Sequence, residues 1–463
     1  MTSQTPLPTA VFKAYDIRGT VPDQLNAGFA RQLGLALAQR ARSEGVDTLV
    51  VGYDGRLSSP DLAQGLQEGL MQGGINTIDL GMVPTPVVYF AAYTQHTGSG
   101  VAITGSHNPP AYNGFKMMMD GKTLYGDDIQ KLAQVMAEPE STDTLPSGQR
   151  RTLDLLDAYV DHIRDTVKLA RPMKIAIDCG NGVGGAVAAR LFRALGCEVD
   201  ELYCQVDGSF PNHHPDPADP RNLQDLIKHV KENNCELGLA FDGDADRLGV
   251  VTPSGEIIWP DRQLILYAQD VLQRQPGATI IFDVKCSRHV ARAIKQAGGK
   301  PLMAQTGHSM IKAKLAETGA PLAGEMSGHI FFKERWFGFD DGLYAGARLL
   351  EILSQHDLPS AVLEALPKDV STPEIKLEMQ EGQPHAVIAR LQKEGQFPSA
   401  TSISTIDGVR AEYADGFGLA RASNTTPVIV LRFEGDTAED VERIMGEFRK
   451  ALTALEPDIA LPF

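Results

Sequence analysis

Cysteine is scarce in this chain of 463 residues. The five cysteines are Cys179, Cys197, Cys204, Cys235 and Cys286, and none of them forms a Cys-x-x-Cys pair. Disulfide-stabilised secreted domains need many cysteines, and zinc sites need closely spaced ones. The low count and wide spacing therefore predict reduced thiols in a reducing compartment, and they argue against a disulfide framework or a zinc site.

Long apolar runs and a basic leader are also missing. The first residues, MTSQTPLPTAVFKAYDIRG, do not combine a basic region with an apolar stretch, which is the pattern of a secretory signal. No apolar run approaches the roughly 20 residues that span a bilayer. We therefore expect a cytoplasmic protein that has no membrane partner.

Positive charge is in deficit. The 43 Lys and Arg residues against 59 Asp and Glu residues leave a formal net charge of −16 at pH 7. Proteins that bind nucleic acid or anionic membranes carry a basic field, so we expect no nucleic-acid partner. A small anionic substrate remains compatible with this charge, because one pocket can be locally basic.

Short apolar runs alternate with amphipathic stretches, a pattern typical of βαβ units with a largely parallel sheet. Several runs end in an acidic turn, at Asp54, Asp178, Asp242 and Asp283. In open α/β sheets, ligands bind just beyond the carboxyl ends of the strands. After the first run, Ser59 is expected to cap a helix that has Pro60 in its first turn.

Polar, proline-containing breaks at 137–151, 252–261 and 366–374 divide the chain. Length alone suggests about three domains, but these breaks predict four segments, at 1–152, 153–255, 256–367 and 368–463. The last segment is expected to be a smaller α+β domain that ends in an amphipathic helix around Glu439–Leu455.

The strongest metal-binding pattern is Asp242-Gly-Asp-Ala-Asp-Arg247 after the third of these strands. The small residues between Asp242, Asp244 and Asp246 let the backbone curl until the three carboxylates converge. Carboxylate oxygens suit Mg²⁺. Calcium is the competitor, but position 12 of an EF-hand loop needs Glu and here it is Pro253. A solvated acidic turn is the other interpretation.

Three further motifs carry groups that could react with or bind a substrate. Thr104-Gly-Ser-His-Asn-Pro-Pro110 exposes Ser106 on a tight turn, although it does not fit the Gly-x-Ser-x-Gly elbow. Arg421-Ala-Ser-Asn-Thr-Thr-Pro427 offers donors suited to a phosphate. Gly324-Glu-Met-Ser-Gly-His329 offers sugar-hydroxyl partners and a titratable histidine. Taken singly, each could be an ordinary polar turn, and we interpret His213-His-Pro-Asp-Pro217 as a rigid turn.

Together, TGSHNPP, DGDADR, GEMSGH and RASNTTP, in this order and with AYDIRG near the start, resemble the α-D-phosphohexomutase superfamily. The resemblance covers essentially the whole chain and is strongest to the bacterial phosphomannomutase/phosphoglucomutase enzymes. It implies three similar α/β domains with mixed sheets plus a smaller C-terminal α+β domain, arranged around a central cleft. The four segments would carry, in order, the phosphoserine, magnesium, sugar-recognition and phosphate-binding loops.

The resemblance also implies the role of individual residues. Ser106 matches the phosphoserine, which would complete the magnesium ligands Asp242, Asp244 and Asp246. The other expected catalytic residues are Arg18, His107, Lys116, Arg247 and His329, with Lys116 the first candidate for proton transfer and His329 the second. The expected substrate-binding residues are Tyr15, Lys285, His308, Glu325, Ser327, Arg421, Ser423, Asn424 and Thr425.

The implied reaction interconverts hexose 1-phosphates and hexose 6-phosphates of mannose, glucose or both. It would need Mg²⁺ and a hexose 1,6-bisphosphate intermediate, with hexose phosphates as the small-molecule partners of a monomer. A phosphoglucosamine mutase is the alternative within the family, although Met326 and Ser423-Asn-Thr favour mannose and glucose phosphates. A Mg²⁺-dependent sugar phosphatase and a sugar-phosphate-binding regulator without turnover are the alternatives of other classes. No residue can be named that distinguishes mannose from glucose at C2.

Overall fold

The computed structural model of the chain describes residues 7–138, 140–424 and 426–463. The strands in these residues form four separate sheets that follow one another along the chain. The first three sheets are mixed and carry helices, and the last belongs to a smaller α+β unit, so the predicted fold class is confirmed. No helix in the described residues is both long and apolar enough to cross a bilayer.

The first unit has a mixed sheet in the order β1-β5-β4-β2-β3-β7, with β6 paired to β5. Its strands are β1 (Ile17–Thr20), β2 (Thr48–Tyr53), β3 (Asn76–Met82), β4 (Gly100–Ile103), β5 (Tyr112–Met119), β6 (Lys122–Thr123) and β7 (Arg150–Thr152). Its helices are α1 (Ala27–Ser43), α2 (Ser59–Gln72), α3 (Thr85–Thr94) and α4 (Asp127–Ala137). A short 3₁₀ helix, Thr9–Val11, precedes them.

The second unit has the sheet order β12-β11-β10-β8-β9. Its strands are β8 (Lys174–Asp178), β9 (Glu198–Leu202), β10 (Leu237–Phe241), β11 (Leu248–Val251) and β12 (Ile257–Ile258). Its helices are α5 (Leu156–Thr166), α6 (Ala188–Ala194) and α7 (Gln224–Glu232), with 3₁₀ turns at Val183–Ala186 and Pro220–Leu223. Because β12 pairs with β11, this sheet extends three residues beyond the predicted boundary at 255.

The third unit has the sheet order β14-β13-β15-β16. Its strands are β13 (Thr279–Asp283), β14 (Lys300–Ala304), β15 (Leu322–Gly324) and β16 (Ile330–Phe332). Its helices are α8 (Pro260–Arg274), α9 (Arg288–Gln296), α10 (His308–Thr318), α11 (Gly342–Leu353) and α12 (Pro359–Glu364).

The fourth unit has an antiparallel sheet in the order β17-β22-β21-β20-β19, with β18 paired to β22. Its strands are β17 (Val370–Ser371), β18 (Ile375–Glu378), β19 (Ser402–Ser404), β20 (Val409–Glu412), β21 (Gly416–Ala422) and β22 (Val428–Gly435). Its helices are α13 (Gln383–Glu394) and α14 (Ala438–Leu455). The final helix was predicted within one residue, and Thr437 and Asp440 form a capping box at its start.

The first three sheets repeat one strand arrangement. In each of them three parallel strands, β3-β2-β4, β9-β8-β10 and β14-β13-β15, are followed by an antiparallel neighbour, β5, β11 or β16. The sheets are therefore mixed, as the family resemblance implied, and less uniformly parallel than the alternating pattern suggested.

The hydrophobic cores show which units pack together. One large cluster of buried side chains draws residues from all of the first three units, including Phe90, Phe192 and Trp336. The fourth unit has a cluster of its own around Phe433, Phe448 and Leu452. The first three units thus share apolar packing, while the fourth is built around a separate core.

Two local expectations meet different outcomes. The apolar run Met117-Met-Met119 is expected to be a buried strand, and its residues lie in the buried strand β5. Ser59 is not the N-cap of α2, because the helix begins at Ser59 and Ser58 precedes it without a capping hydrogen bond. The Ser59 hydroxyl instead donates to Asp54 Oδ1 at 2.6 Å, since the helix start lies against the turn that follows β2.

Candidate active site

Four loops supply most of the predicted site residues. In the first three sheets the loop joins the last parallel strand to its antiparallel neighbour, and these loops contain Ser106, Asp242 and Glu325 respectively. In the fourth sheet the corresponding group lies between β21 and β22 and contains Ser423 and Asn424. The repeated strand arrangement therefore presents the three α/β loops at equivalent positions.

Ser106 lies in a strained turn after β4. Its φ is +48°, a left-handed conformation that is uncommon for residues other than glycine. Its backbone N–H donates to Thr104 Oγ1 at 2.7 Å, and its side chain is almost fully buried. The Ser106 hydroxyl donates to Asp242 Oδ2 at 2.9 Å and lies 3.3 Å from His107 Nδ1.

Arg56 holds the serine loop through hydrogen bonds. Its guanidinium donates to four backbone carbonyls of that loop, those of Ser106, Asn108, Pro109 and Tyr112, at 2.6 to 3.0 Å. Arg56 Nε also donates to Asp54, 3.1 Å away, and Asp54 accepts the Gly105 N–H at 3.1 Å. Arg56 was not among the predicted site residues, because the motif TGSHNPP does not show that the carbonyls of the serine loop point towards Arg56.

The three aspartates of the predicted metal loop converge. Asp242, Asp244 and Asp246 are fully buried, and one oxygen from each lies within 4.8 Å of the others. Ala245 has a φ of +62°, so the loop curls between the second and third carboxylates. A Cβ at Gly243 would lie 2.3 Å from Ser106 O. Glycine therefore allows the metal loop and the serine loop to touch.

The carboxylates can hold a cation. Burial and the neighbouring Asp244 and Asp246 raise the pKa of Asp242 well above its usual value. Asp244 Oδ1 is buried and accepts no hydrogen bond from the described residues. Three buried oxygen donors with an orphaned oxygen fit a hard divalent cation. The expected ligand set is therefore suitable for a metal.

Lys116, from β5, lies among these carboxylates. Its Nζ donates to Asp244 Oδ2 at 2.8 Å and to Asp246. Burial alone would lower the pKa of Lys116, but Asp244 and Asp246 outweigh it and raise that pKa well above 10.5. Thr85 Oγ1 also donates to Asp244 Oδ2, at 2.6 Å. Thr85 stands in no recognisable motif; it begins α3 and lies 159 residues away from its partner.

Arg247 and His329 stand beside the metal loop. Arg247 Nε lies 3.7 Å from Asp242 Oδ2 and donates to His329 Nε2 at 3.3 Å. His329 Nε2 is 3.4 Å from Asp246 Oδ1. Burial lowers the pKa of His329, although the carboxylate of Asp246 opposes the shift. Burial and then Arg247 also lower the pKa of His107, so these histidines favour their neutral forms.

The loop that carries Glu325 is held by backbone contacts. Glu325 Oε1 accepts the Gly307 N–H at 2.6 Å, and Asp283 Oδ1 accepts the Met326 N–H at 3.1 Å. Burial and the charge of Asp283 raise the pKa of Glu325 to about 8. Ser327 Oγ lies 2.8 Å from His329 Nδ1. The predicted sugar-binding groups therefore adjoin the predicted catalytic histidine.

His308 begins helix α10 next to this loop. Its ring stacks on the ring of His329 with centroids 5.6 Å apart, and its Nδ1 lies 3.7 Å from Asp340 Oδ2. Asp340 Oδ1 also accepts a hydrogen bond from Lys312 Nζ at 2.8 Å. Sequence reasoning missed Asp340; the only available signal was an acidic pair just before α11.

The predicted phosphate loop joins the first unit to the fourth. Asn424 Nδ2 donates to the Tyr15 hydroxyl, which donates to the Thr306 carbonyl at 2.9 Å. Arg421 Nε donates to Asp407 Oδ2 at 2.9 Å, and Arg421 Nη2 is buried without a partner among the described residues. Ser423 Oγ accepts from Thr426 Oγ1 at 3.0 Å. Thr425 lies outside the described residues.

Two more predicted cations lie near the cleft with acidic partners. Arg18 donates to Asn108 Oδ1 in the serine loop at 2.6 Å, and it pairs with Asp16 at 2.5 Å. Lys285 Nζ donates to Glu374 Oε1 at 2.8 Å, which ties the turn after β13 to the start of the fourth unit.

The described site residues therefore form two connected groups. Ser106, His107, Arg18, Lys116, Arg247, His329 and the three aspartates lie together at the serine loop. Tyr15, Arg421 and Asn424 lie at the phosphate loop. Tyr15 links the second group to Thr306, and the adjacent Gly307 contacts Glu325. Such a site can bind an anion at one end while a cation-assisted nucleophile reacts at the other.

Comparison with known families gives a match along the chain. The domains described as "Phosphoglucomutase/phosphomannomutase, alpha/beta/alpha domain" I, II and III match residues 9–143, 157–255 and 259–370. The "C-terminal domain" of the same family matches residues 374–451.

Individual relatives are similar over nearly their full length. The phosphoglucomutase of Neisseria gonorrhoeae is 56% identical over 453 residues, covering 98% of this chain and 98% of that protein. The phosphomannomutase/phosphoglucomutase of Pseudomonas aeruginosa is 53% identical over 458 residues, covering 99% and 98%. A crystal structure of a phosphoglucomutase/phosphomannomutase family protein from Burkholderia thailandensis superposes with a TM-score of 0.94 at 53% identity, covering 99% of this chain and 100% of that one.

Proposed function

The chain belongs to the phosphoglucomutase/phosphomannomutase family, and from that premise we propose that it interconverts the 1-phosphates and 6-phosphates of glucose and mannose. The observation that carries the proposal is the contact of the buried Ser106 hydroxyl with Asp242, one of three convergent carboxylates. It joins a nucleophile to a cation site, which is what phosphoryl transfer requires.

The reaction is a pair of phosphoryl transfers. Phosphoserine 106 gives its phosphoryl group to the free hydroxyl of a hexose phosphate, which forms a hexose 1,6-bisphosphate and leaves an unmodified serine. The bisphosphate then turns around in the cleft. Its other phosphate returns to Ser106, so the enzyme is restored and the isomeric monophosphate leaves.

Charge on the transferred group has to be neutralised. Asp242, Asp244 and Asp246, with an oxygen of the phosphorylated Ser106, would hold Mg²⁺, which when bound supplies positive charge to the phosphoryl oxygens. Arg247 follows directly in the chain, and its guanidinium lies 3.7 Å from Asp242. We propose that it adds a second positive charge at the same point, and that Arg18 and His107 complete the donors around the serine.

The attacking hydroxyl must lose a proton in one transfer and the departing one must regain it in the other. Lys116 remains the first candidate for this exchange and His329 the second. Both nitrogen groups lie at the carboxylate cluster, with Lys116 Nζ 2.8 Å from Asp244 and His329 Nε2 3.4 Å from Asp246.

The other end of the substrate needs a phosphate site and a sugar site. Arg421, whose buried Nη2 has no partner among the described residues, is suited to grip the phosphate that does not react. Ser423, Asn424 and Thr425 are proposed to assist it. Glu325 and Ser327 are proposed to bind sugar hydroxyls, with Lys285, His308 and Tyr15 lining the cleft between the two ends.

We further propose that one chain suffices for activity, because all four loops come from the same chain. Five unpaired cysteines in the described residues are compatible with a cytoplasmic location. The phosphoglucosamine mutase and the phosphatase stay as outcomes of the test below.

The test combines mass analysis with assays of isomerisation. Intact mass and phosphopeptide mapping of the purified protein should place one phosphate on Ser106. Ser106→Ala should lose most mutase activity, whereas the exposed control Ser141→Ala should keep it. A fully active Ser106→Ala protein would exclude the phosphoserine mechanism.

Substrate comparison then separates the alternatives. Mannose 1-phosphate and glucose 1-phosphate should be isomerised faster than glucosamine 1-phosphate, and little inorganic phosphate should appear. A dominant glucosamine rate would assign the chain to the phosphoglucosamine mutases, and steady phosphate release would identify a phosphatase.

A further inference from the structure

Three side chains of different chemistry meet in the second unit, far from the cleft. Asp200 comes from the edge strand β9, His229 from the last turn of α7, and Cys235 from the turn before β10. One donor atom from each lies within 4.8 Å of the others. Asp242 leaves the opposite end of β10, so the whole strand, at about 3.3 Å per residue, separates this group from the active site.

Two of the three donor–donor distances are close to those of a coordination sphere. Asp200 Oδ2 lies 3.0 Å from His229 Nε2 and 3.4 Å from Cys235 Sγ. A tetrahedral zinc ion, at about 2.0 Å from nitrogen or oxygen and about 2.3 Å from sulfur, sets such donors roughly 3.3 to 3.5 Å apart. Small side-chain movements would therefore admit the ion.

The main chain around Cys235 is held in a defined turn. Asn234, with a φ of +54°, turns the chain sharply after α7. The Cys235 N–H then donates to Val230 O at 3.1 Å, and the Glu236 N–H donates to Lys174 O at 2.8 Å. Cys235 is buried, while Asp200 and His229 are partly exposed. The position of Cys235 is thus fixed, and the two other donors remain accessible to solvent.

We propose that Asp200, His229 and Cys235 bind a Zn²⁺ ion, with water as the fourth ligand. Nitrogen and thiolate donors favour zinc over Mg²⁺, which prefers oxygen. When the ion binds, Cys235 releases its proton to solvent as the sulfur–zinc bond forms. One thiolate and one carboxylate then balance the charge of the ion.

The bound ion would act as a structural clamp. It would join the edge strand β9 to α7 and to the start of β10, the strand that leads to Asp242. The wide spacing of residues 200, 229 and 235 explains why no cysteine or histidine motif in the sequence indicated it.

Lys174 is the local competitor. Its Nζ lies 3.9 Å from Asp200 Oδ2 and 3.3 Å from Glu198 Oε1. Since the side chain is partly exposed, it can stay with Glu198 when a cation binds to Asp200. Removing its charge should therefore strengthen metal binding, an effect that a simple hydrogen-bonded triad does not predict.

Cobalt is the probe for the site. The full-length protein, with excess Mg²⁺ present to occupy oxygen sites, is titrated with Co²⁺. A thiolate-to-cobalt charge-transfer band should appear at one equivalent and should disappear when Zn²⁺ is added. Because the active-site ligands are oxygens, this band reports only a cysteine ligand.

Variants assign the band. Cys235→Ser should abolish it, and His229→Gln should weaken binding at least about tenfold. Cys197→Ser, another buried cysteine outside the cluster, should leave it unchanged, and Lys174→Met should tighten binding. Absence of the band in the wild-type protein, or its persistence in Cys235→Ser, would overturn the proposal.

Thermal unfolding provides a measurement that does not depend on the charge-transfer band. Zn²⁺ in the presence of excess Mg²⁺ should raise the melting temperature of the wild-type protein and of Cys197→Ser, but not that of Cys235→Ser. Equal shifts in all three proteins would show that zinc binds elsewhere and would also overturn the proposal.

Discussion

At the scale of single residues, the predicted cations of the cleft each lie beside a carboxylate. Arg18 pairs with Asp16, Lys116 with Asp244, Arg247 with Asp242, Lys285 with Glu374, and Arg421 with Asp407. The motifs allowed a locally basic pocket within an acidic protein. The structure instead shows cations whose charge is partly balanced, so a phosphate must compete with a carboxylate for several of them.

Glu325 gives the clearest dependence on pH. Its pKa, raised from 4.5 to about 8 by burial and by Asp283, means that the folded protein holds a proton on Glu325 more tightly than the unfolded chain does. Its contribution to stability is therefore complete below pH 4.5 and is lost as pH rises towards and through 8. The loss cannot exceed about 1.4 kcal/mol per pH unit.

Glu325→Gln tests this dependence, because the amide stays neutral and can still accept the Gly307 N–H. Between pH 6 and pH 9 the free energy of unfolding of the variant should improve relative to wild type by about 1 to 3 kcal/mol. Urea unfolding at both pH values measures the change, with the exposed Glu317→Gln on α10 as control. A difference that does not vary with pH would refute the assignment.

The residue scale also marks the limit of sequence reasoning. Ser106, the three aspartates and Glu325 lie in contiguous motifs, so their types and spacing could be recognised. Thr85 and Asp340 act on the same site but stand in no motif. Thr85 meets Asp244 only because β3 and α3 bring the first unit against the second, and no local pattern encodes that contact.

At the scale of elements, the first and third units hold their site loops with the same kind of hydrogen bond. The middle strands β2 and β13 lead into Asp54 and Asp283. Asp54 accepts the Gly105 N–H beside Ser106, and Asp283 accepts the Met326 N–H beside Glu325. The strands that end in aspartate were visible in the sequence as ligand-binding edges. Their carboxylates instead hold the neighbouring loop through a hydrogen bond. That contact could be predicted only from the order of the strands in the sheet, which the sequence does not state.

Arg56 is the second support of the serine loop, and its replacement should separate positioning from chemistry. Arg56→Lys keeps the charge but cannot donate to four carbonyls and Asp54 at once, so the Ser106 turn should relax. We expect kcat to fall about 10- to 100-fold with a smaller change in KM. The steady-state assay is paired with single-turnover transfer of labelled phosphate from Ser106.

The control for this prediction is Arg164→Lys, at an exposed ion pair on α5, which should change neither rate. If folded Arg56→Lys transfers phosphate from Ser106 at the wild-type rate, the loop does not depend on Arg56 for its geometry. A parallel fall in stability alone would show a role in folding only.

At the scale of the whole molecule, the fourth unit differs from the others in how it is attached. The first three share one apolar core, whereas the fourth contacts them through polar pairs such as Lys285–Glu374 and Asn424–Tyr15 and through one small apolar cluster of Val284, Phe417 and Leu419. Polar contacts between domains separate more readily than apolar ones. Within the predicted break at 366–374, Val370 and Ser371 pair with β22, so the connection that precedes the fourth sheet is confined to residues 366–369.

Closure of the fourth unit over the substrate is the prediction at this scale. The phosphate loop belongs to the fourth unit and Ser106 to the first, so a bound hexose bisphosphate should draw them together and exclude water. Small-angle scattering should show a smaller radius of gyration with glucose 1,6-bisphosphate than without it. Hydrogen exchange should slow in residues 423–427 and around Thr306 and Gly307.

Arg421→Ala, which lacks the phosphate grip, should lose both effects, whereas Arg390→Ala, at an exposed pair on α13, should keep them. Unchanged scattering and exchange in a protein that still turns over would mean that the cleft works without closing, and that residues 366–369 serve as a fixed connection.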